Sequence, residues 1–160
     1  MKNLRKRVGR FLLMFAMLFA GILLPQNTKA VWAADGSMTV HFLDVGQGLS
    51  VLVESEGQTL LYDGGPRSAS SFVVSYLQER QISEIDYLIS SHYDEDHVSG
   101  LIGCLNAFDV ANVIGADYVH DSSLYDSFID GVAAQGLTVQ HPAVGTEYEF
   151  GSGKFTILSP

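Results

Sequence analysis

Ile85-Asp86-Tyr87-Leu88-Ile89-Ser90-Ser91-His92-Tyr93-Asp94-Glu95-Asp96-His97 is the stretch on which the reading of this chain turns. Its first seven residues are apolar enough to make a strand buried on both faces. From His97 to Phe108 the period changes, and Val98, Leu101, Ile102 and Leu105 fall on one helical face. A buried strand that ends in a polar loop and then a helix is where open α/β sheets place their ligand sites. That loop holds two of the five histidines of the chain and three carboxylates within His92–His97. Side chains 92, 94 and 96 of an extended loop are expected to point the same way, with His97 turning back from the first turn of the helix. A mixture of imidazole and carboxylate suits borderline and hard divalent metals. A solvated acidic loop with two incidental histidines explains the placement less well, because both sit at a strand end rather than scattered.

Upstream, Met38–Asp44, Leu49–Glu54 and Gln58–Asp63 read as three strands joined by tight turns, the first turn being Val45-Gly46-Gln47-Gly48. Ala69, Phe72, Val73, Tyr76 and Leu77 then recur at helical spacing, giving a helix to about Gln81 with Ser68 as candidate cap. Downstream, Val110–Ile114 is a strand. Asp121 is the expected cap of a helix carrying Leu124, Phe128, Ile129 and Val132, and Gly136 ends it. Leu137–Gln140, Tyr148–Phe150 and Phe155–Leu158 are further strand candidates. Strands and helices alternate, so the fold class is α/β with a mixed sheet.

The 160 residues allow one domain, and their charge of −9 is unevenly placed. Six of nine basic residues precede residue 31, whereas all 18 acidic residues lie from Asp35 onward. Residues 35–160 therefore carry three basic against 18 acidic residues, a net of −15. That excludes a basic nucleic-acid-binding module over this stretch. Residues 1–34 read as a secretory signal peptide: a basic start, the apolar run Phe11–Leu24, Pro25, and small-residue cleavage sites after Ala30 or Ala33. The run is short for a membrane span, so an uncleaved anchor is the lesser alternative and contact with membrane is expected only through this segment. The expected location is secreted or extracytoplasmic. Cys104 is alone and implies no disulfide partner; a buried place within a helix is expected for it.

The loop also carries a family resemblance. His92-x-Asp94-x-Asp96-His97 is similar to the His-x-His-x-Asp-His signature of the metallo-β-lactamase fold, and looks closest to the ComEC-type competence branch, where Asp replaces the second His. Phe42-Leu43-Asp44-Val45-Gly46-Gln47-Gly48 and Leu60-Leu61-Tyr62-Asp63-Gly64-Gly65 match that branch in order and spacing. The resemblance implies an αββα sandwich, of which residues 38–160 would supply the N-terminal half and the start of the second. It implies that His92 and Asp94 bind a first metal, and Asp96 and His97 a second. Asp96 would also serve catalysis, and Asp63 would hold the ligands from behind. Gly46, Gln47 and Gly48 would form a loop beside the site. One or two divalent ions are implied, zinc or manganese, and Asp94 in place of His shifts preference away from zinc.

The implied activity is that of a metal-dependent hydrolase, acting through a metal-activated water on phosphodiester bonds such as DNA. Alternatives are a small ester such as cell-wall phosphorylcholine, or a truncated, non-catalytic domain serving as an interaction module. The family's later ligands, two histidines and a bridging Asp, are expected beyond Pro160. Other residues receive plainer readings. Asp44 is expected to cap its turn, His41 to be a partly exposed sheet residue, and His120 and His141 to be surface residues of connections. Arg67 is read either as a solvated loop residue or as a contact for an anionic substrate.

Overall fold

The computed structural model describes residues 36–159, and the expected export signal, residues 1–34, lies outside them. Strands β1 (Met38–Phe42), β2 (Val51–Ser55) and β3 (Gln58–Tyr62) form an antiparallel meander. A 3-10 turn at Arg67–Ala69 leads into α1 (Ser70–Glu79). Then follow β4 (Glu84–Ser90), α2 (Glu95–Ala107), β5 (Asp109–Gly115), α3 (Ser123–Ala134) and the short β6 (Val139–Gln140). The six strands stand in the sheet in chain order, with the pairs β3–β4, β4–β5 and β5–β6 parallel. A hairpin of β7 (Glu147–Phe150) and β8 (Gly153–Thr156) forms a separate two-stranded sheet.

The alternation of side chains along each strand divides the core in two. Leu52, Leu61, Leu88 and Val113 point to one face, where Val73, Leu77, Val98, Leu101, Cys104, Phe128 and Val132 of the three helices cover them. Their neighbours Leu60, Ile89 and Ile114 point the other way and meet Phe150, with Tyr148 and Phe155, from the hairpin. Each fully buried Leu or Val contributes about 1.5–3 kcal/mol. Cys104 is buried within α2, the place its lone thiol was expected to take.

Three expectations at helix starts are corrected. Helix α2 begins at Glu95, not His97, because Asp94 takes the N-cap position in extended backbone. Residues 92, 94 and 96 therefore do not share one extended face, since Asp96 already lies on helical backbone. Ser122, not Asp121, caps α3: its hydroxyl accepts the Tyr125 backbone N–H at 3.1 Å. Ser68 caps nothing, as it lies inside the 3-10 turn, whose own N-cap is Pro66 without a side-chain bond.

Candidate metal centre

The carboxyl ends of β3, β4 and β5 open on one edge of the sheet, and each contributes to one cluster. From β3 comes Asp63, fully buried and in left-handed backbone at φ 57°. Such a conformation is costly for a residue other than glycine and persists only where its surroundings hold it. Here three donors hold it: the Ser91 N–H at 2.8 Å, the Ser91 hydroxyl at 2.6 Å and His97 Nδ1 at 2.8 Å. A carboxylate is acceptor only, so His97 carries its proton on Nδ1 and leaves the Nε2 lone pair free. The Ser91 hydroxyl has one proton and directs it to Asp63. It therefore accepts from His92 Nδ1 at 2.9 Å, which frees the Nε2 lone pair of His92 as well. One buried carboxylate sets the tautomer of both rings, directly for His97 and through Ser91 for His92.

The two rings lie side by side, tilted at 49° with their centroids 3.9 Å apart. His92 Nε2 lies 3.5 Å from Asp94 Oδ2, and His97 Nε2 lies 3.9 Å from Asp96 Oδ2. The residues expected to share each ion thus stand side by side. Asp94 is the N-cap of α2, a position where aspartate ordinarily accepts a backbone N–H. Its side chain makes no capping bond here and is instead turned toward His92. Tyr62, next to Asp63, has its phenol pushed up by burial and by the Asp63 charge, partly offset by a hydrogen bond with Ser91.

Backbone packing fixes the loop against its neighbours. The Gly64 N–H donates to His97 O at 2.7 Å, and the Gly100 N–H to Gly65 O at 3.1 Å. A Cβ on Gly100 would collide with the Gly64 carbonyl, and one on Gly48 with the Asp96 carbonyl. Gly48, at φ +126°, therefore packs on the backbone of the ligand loop itself. Gly46 and Gln47 are exposed at the tip of that turn, where Asp44 Oδ1 accepts the Gly46 N–H at 3.3 Å, the capping bond expected of it.

Two residues of this region escape a reading by sequence motif. Ser91 looks like the last residue of a strand, and nothing in its spacing marks it as the link between Asp63 and His92. His120 was expected at the surface of a connection. It is half-buried instead, with Nδ1 2.9 Å from Ser122 Oγ and Nε2 3.5 Å from Asp94 Oδ1. The usable signal was its place after β5, the parallel neighbour of β4, so that both strand ends open on the same edge. His141 is exposed, as expected, with Nδ1 3.0 Å from Gly115 O. His41 is a partly buried sheet residue on β1, with Nδ1 3.1 Å from the Tyr76 hydroxyl. Arg67 is exposed, and its backbone N–H donates to Glu95 Oε1 at 2.9 Å.

Among the described residues, no three His, Cys, Asp or Glu side chains stand as a ready cage for an ion. The donors are arranged as neighbouring pairs. In chemical type and in tautomer they nonetheless fit a divalent cation, since both imidazoles offer Nε2 lone pairs beside carboxylates.

A helix-backed mixed sheet, with a His/Asp loop at its carboxyl edge tied down by a buried aspartate, defines the class: one half of an α/β sandwich of the metallo-β-lactamase type. The chain belongs to the metallo-beta-lactamase superfamily, whose family profile matches residues 43–154. It is similar to Recombination protein 2 of Haemophilus influenzae, 30% identical over 162 residues that cover 98% of this chain and 18% of that protein. It is also similar to Competence protein ComA of Neisseria gonorrhoeae, 36% identical over 85 residues, 52% of this chain and 12% of that one. The chain thus spans less than a fifth of these relatives, the second of which is named for competence, as is the branch that the three motifs resemble. Among solved structures, a metallo-beta-lactamase of Cronobacter sakazakii superposes with TM-score 0.51 at 16% identity, over 70% of this chain and 46% of that one. The chemotaxis sensor ODP, solved as a peroxy diiron species, superposes with TM-score 0.51 at 24% identity, over 79% and 52%. These likenesses establish the αββα fold family, of which the six-stranded sheet with its three helices is one half.

Proposed function

We propose that this chain supplies the divalent-metal loop of an exported hydrolase that cleaves phosphodiester bonds, with DNA as substrate. The observation that carries the metal reading is the tautomer lock, in which Asp63 and Ser91 occupy both Nδ1 atoms and leave two Nε2 lone pairs beside Asp94 and Asp96. His92 with Asp94 would hold one ion, and Asp96 with His97 a second. A bound divalent ion lowers the pKa of water from about 15.7 towards 7 and so makes a nucleophile available at neutral pH. The remaining work falls to the chain. Asp63 keeps both rings in orientation, and Asp96 accepts the proton of the attacking water. Support for DNA comes from the names of the recombination and competence relatives. Support for export comes from the basic start and the 14-residue apolar run Phe11–Leu24.

Charge favours a second reading, a smaller phosphoester. Of the three basic residues after residue 34, Arg80 pairs with Glu54 at 2.6 Å and Lys154 with Glu147 at 2.7 Å. Even two bound divalent ions would bring the net −15 only to about −11, far from the basic surface that a DNA backbone requires. The deciding assay incubates the full-length protein, including the downstream ligands that the family resemblance implies, with manganese and single-stranded DNA, or with a small phosphodiester, against a His92→Ala control. Manganese-dependent cleavage of DNA abolished by His92→Ala is the expected result. Cleavage of the small ester alone moves the function to the second reading, and no metal-dependent difference on either substrate overturns both.

A further inference from the structure

The connection between β5 and α3 carries two large apolar side chains into solvent at the carboxyl edge of the sheet. Tyr118 is 44% exposed and Val119 82%. An exposed apolar residue is ordinary in itself. What sets Tyr118 apart is how firmly it is held. Its hydroxyl accepts the Tyr93 N–H at 3.2 Å, and its ring packs on that of Tyr93 at 5.1 Å. Tyr93 is itself buried, donates its hydroxyl to Ala116 O at 2.8 Å, and packs against Tyr125 and Phe128 of α3 at 4.7 and 5.8 Å. The Tyr118 N–H closes a tight turn on Ala116 O at 3.0 Å. The half-exposed ring is therefore ordered before any ligand arrives, so a ligand that stacks on it loses little affinity to side-chain ordering.

The same hydrogen bond fixes where the ring stands. Tyr93 lies between His92 and Asp94, so the Tyr118 phenol is tied to the backbone of the candidate ligand loop, one residue from either. Charge then decides which contacts can hold a substrate there. Asp117 and Asp121, on the same connection, are exposed, and Arg80 and Lys154 are already paired with Glu54 and Glu147. With residues 35–160 at a net −15, contacts to phosphate have little to draw on among the described residues. Stacking of a nucleobase on an aromatic ring needs no positive charge and accepts any base, because every base has a π-face.

We infer that Tyr118 is a specificity-determining residue of this site, stacking on the nucleobase beside the scissile phosphodiester. The inference rests on the phosphodiester reading proposed above and deepens it: the substrate is base-bearing, and this part of the protein grips it by a base rather than by its phosphates. Tyr118 comes from outside the three motifs through which the family was recognised.

Cleavage by the full-length protein with manganese tests it, on dithymidine monophosphate and on the matched phosphodiester that lacks both bases. Tyr118→Leu keeps apolar bulk without a π-face, whereas Tyr118→Phe keeps the ring and drops the hydroxyl that Tyr93 holds. In Tyr118→Leu the KM for dithymidine monophosphate should rise at least about fivefold relative to the KM for the abasic compound, and Tyr118→Phe should recover most of that preference. Equal losses on the two substrates make Tyr118 a mere support of the ligand loop and overturn the inference. So does a Tyr118→Leu variant with wild-type preference, or a Tyr118→Phe variant as impaired as Tyr118→Leu. A second measurement needs no turnover. A single-stranded oligonucleotide carrying 5-iododeoxyuridine, irradiated with the full-length protein without divalent metal, should crosslink to Tyr118, as mapped by mass spectrometry. Cleavage of DNA without that crosslink overturns the inference alone. The crosslink without metal-dependent cleavage overturns the hydrolase reading and leaves base stacking in place, and absence of both overturns both.

Discussion

Asp63 concentrates more of the site's chemistry than any of the ligands it serves. It is fully buried, strained at φ 57°, and satisfied by three donors from Ser91 and His97. Replacement by Asn keeps the size but turns one of the two oxygens into a donor, so either the Ser91 N–H on Oδ1 faces a donor, or His97 Nδ1 and the Ser91 hydroxyl, which share Oδ2, both do. Either way the three donors are no longer all satisfied, and the hold on the two rings weakens. Asp63→Asn is expected to lower manganese or cobalt affinity by about 10–100-fold, measured by calorimetric titration. Unchanged affinity would show that the lock is dispensable. In the sequence, Asp63 was legible through its Asp-Gly-Gly context, whereas Ser91 was not. A serine at a strand end is commonplace, and only the closeness of β3 to β4 makes it a bridge.

At the scale of elements, the junction between the ligand loop and its neighbours is made by glycines that touch backbone to backbone. Gly100 on α2 lies against Gly64, with no room between them for a methyl group. Gly100→Ala should therefore cost about 1–3 kcal/mol or more, because rigid backbone must move. Gly131→Ala, on α3, would meet only the Leu105 side chain at 3.3 Å. It should stay within about 1 kcal/mol of wild type, since alanine is the better helix former. Urea unfolding of the two variants checks the contrast, and equal stabilities would refute it. Helix periodicity located all three helices in the sequence, but their starts were displaced. Asp121 and Ser122 are both good caps by type, and the choice fell to Ser122 because it has the extended backbone and the Tyr125 N–H within reach. At α2 the helix begins before its apolar stripe does, since Glu95 and Asp96 suit the positive end of a helix dipole.

For the molecule as a whole, two buried acids link the core to alkaline pH. Burial pushes the Cys104 thiol from 9.0 up to about 12. Burial, then the neighbouring Tyr125, Tyr118 and Asp117, pushes the Tyr93 phenol from 10.0 up to about 12. The folded state keeps these protons where the unfolded chain releases them. Stability is thus fully present below about pH 9 and falls as pH rises toward 12. The urea midpoint should decline over that window, and in Cys104→Ala the decline should begin nearer pH 10, where the remaining Tyr93 titrates. An identical onset in both proteins would remove Cys104 from the account.

The α/β class, the succession of strands along the chain, the presence of three helices and the cluster of ligand-type residues from His92 to His97 were legible in the sequence alone. Hydrophobic period and clustered ligand chemistry are local properties, and local properties can be read along a chain. Tertiary structure alone decided what meets across strands. It joined Asp63 on one strand end to Ser91 and His97 on the next, turned Asp94 away from its cap, and carried His120 across more than twenty positions to the same carboxylate. Those contacts depend on the parallel alignment of β3, β4 and β5, whose carboxyl ends share one edge because α1 and α2 return the chain to the same side each time.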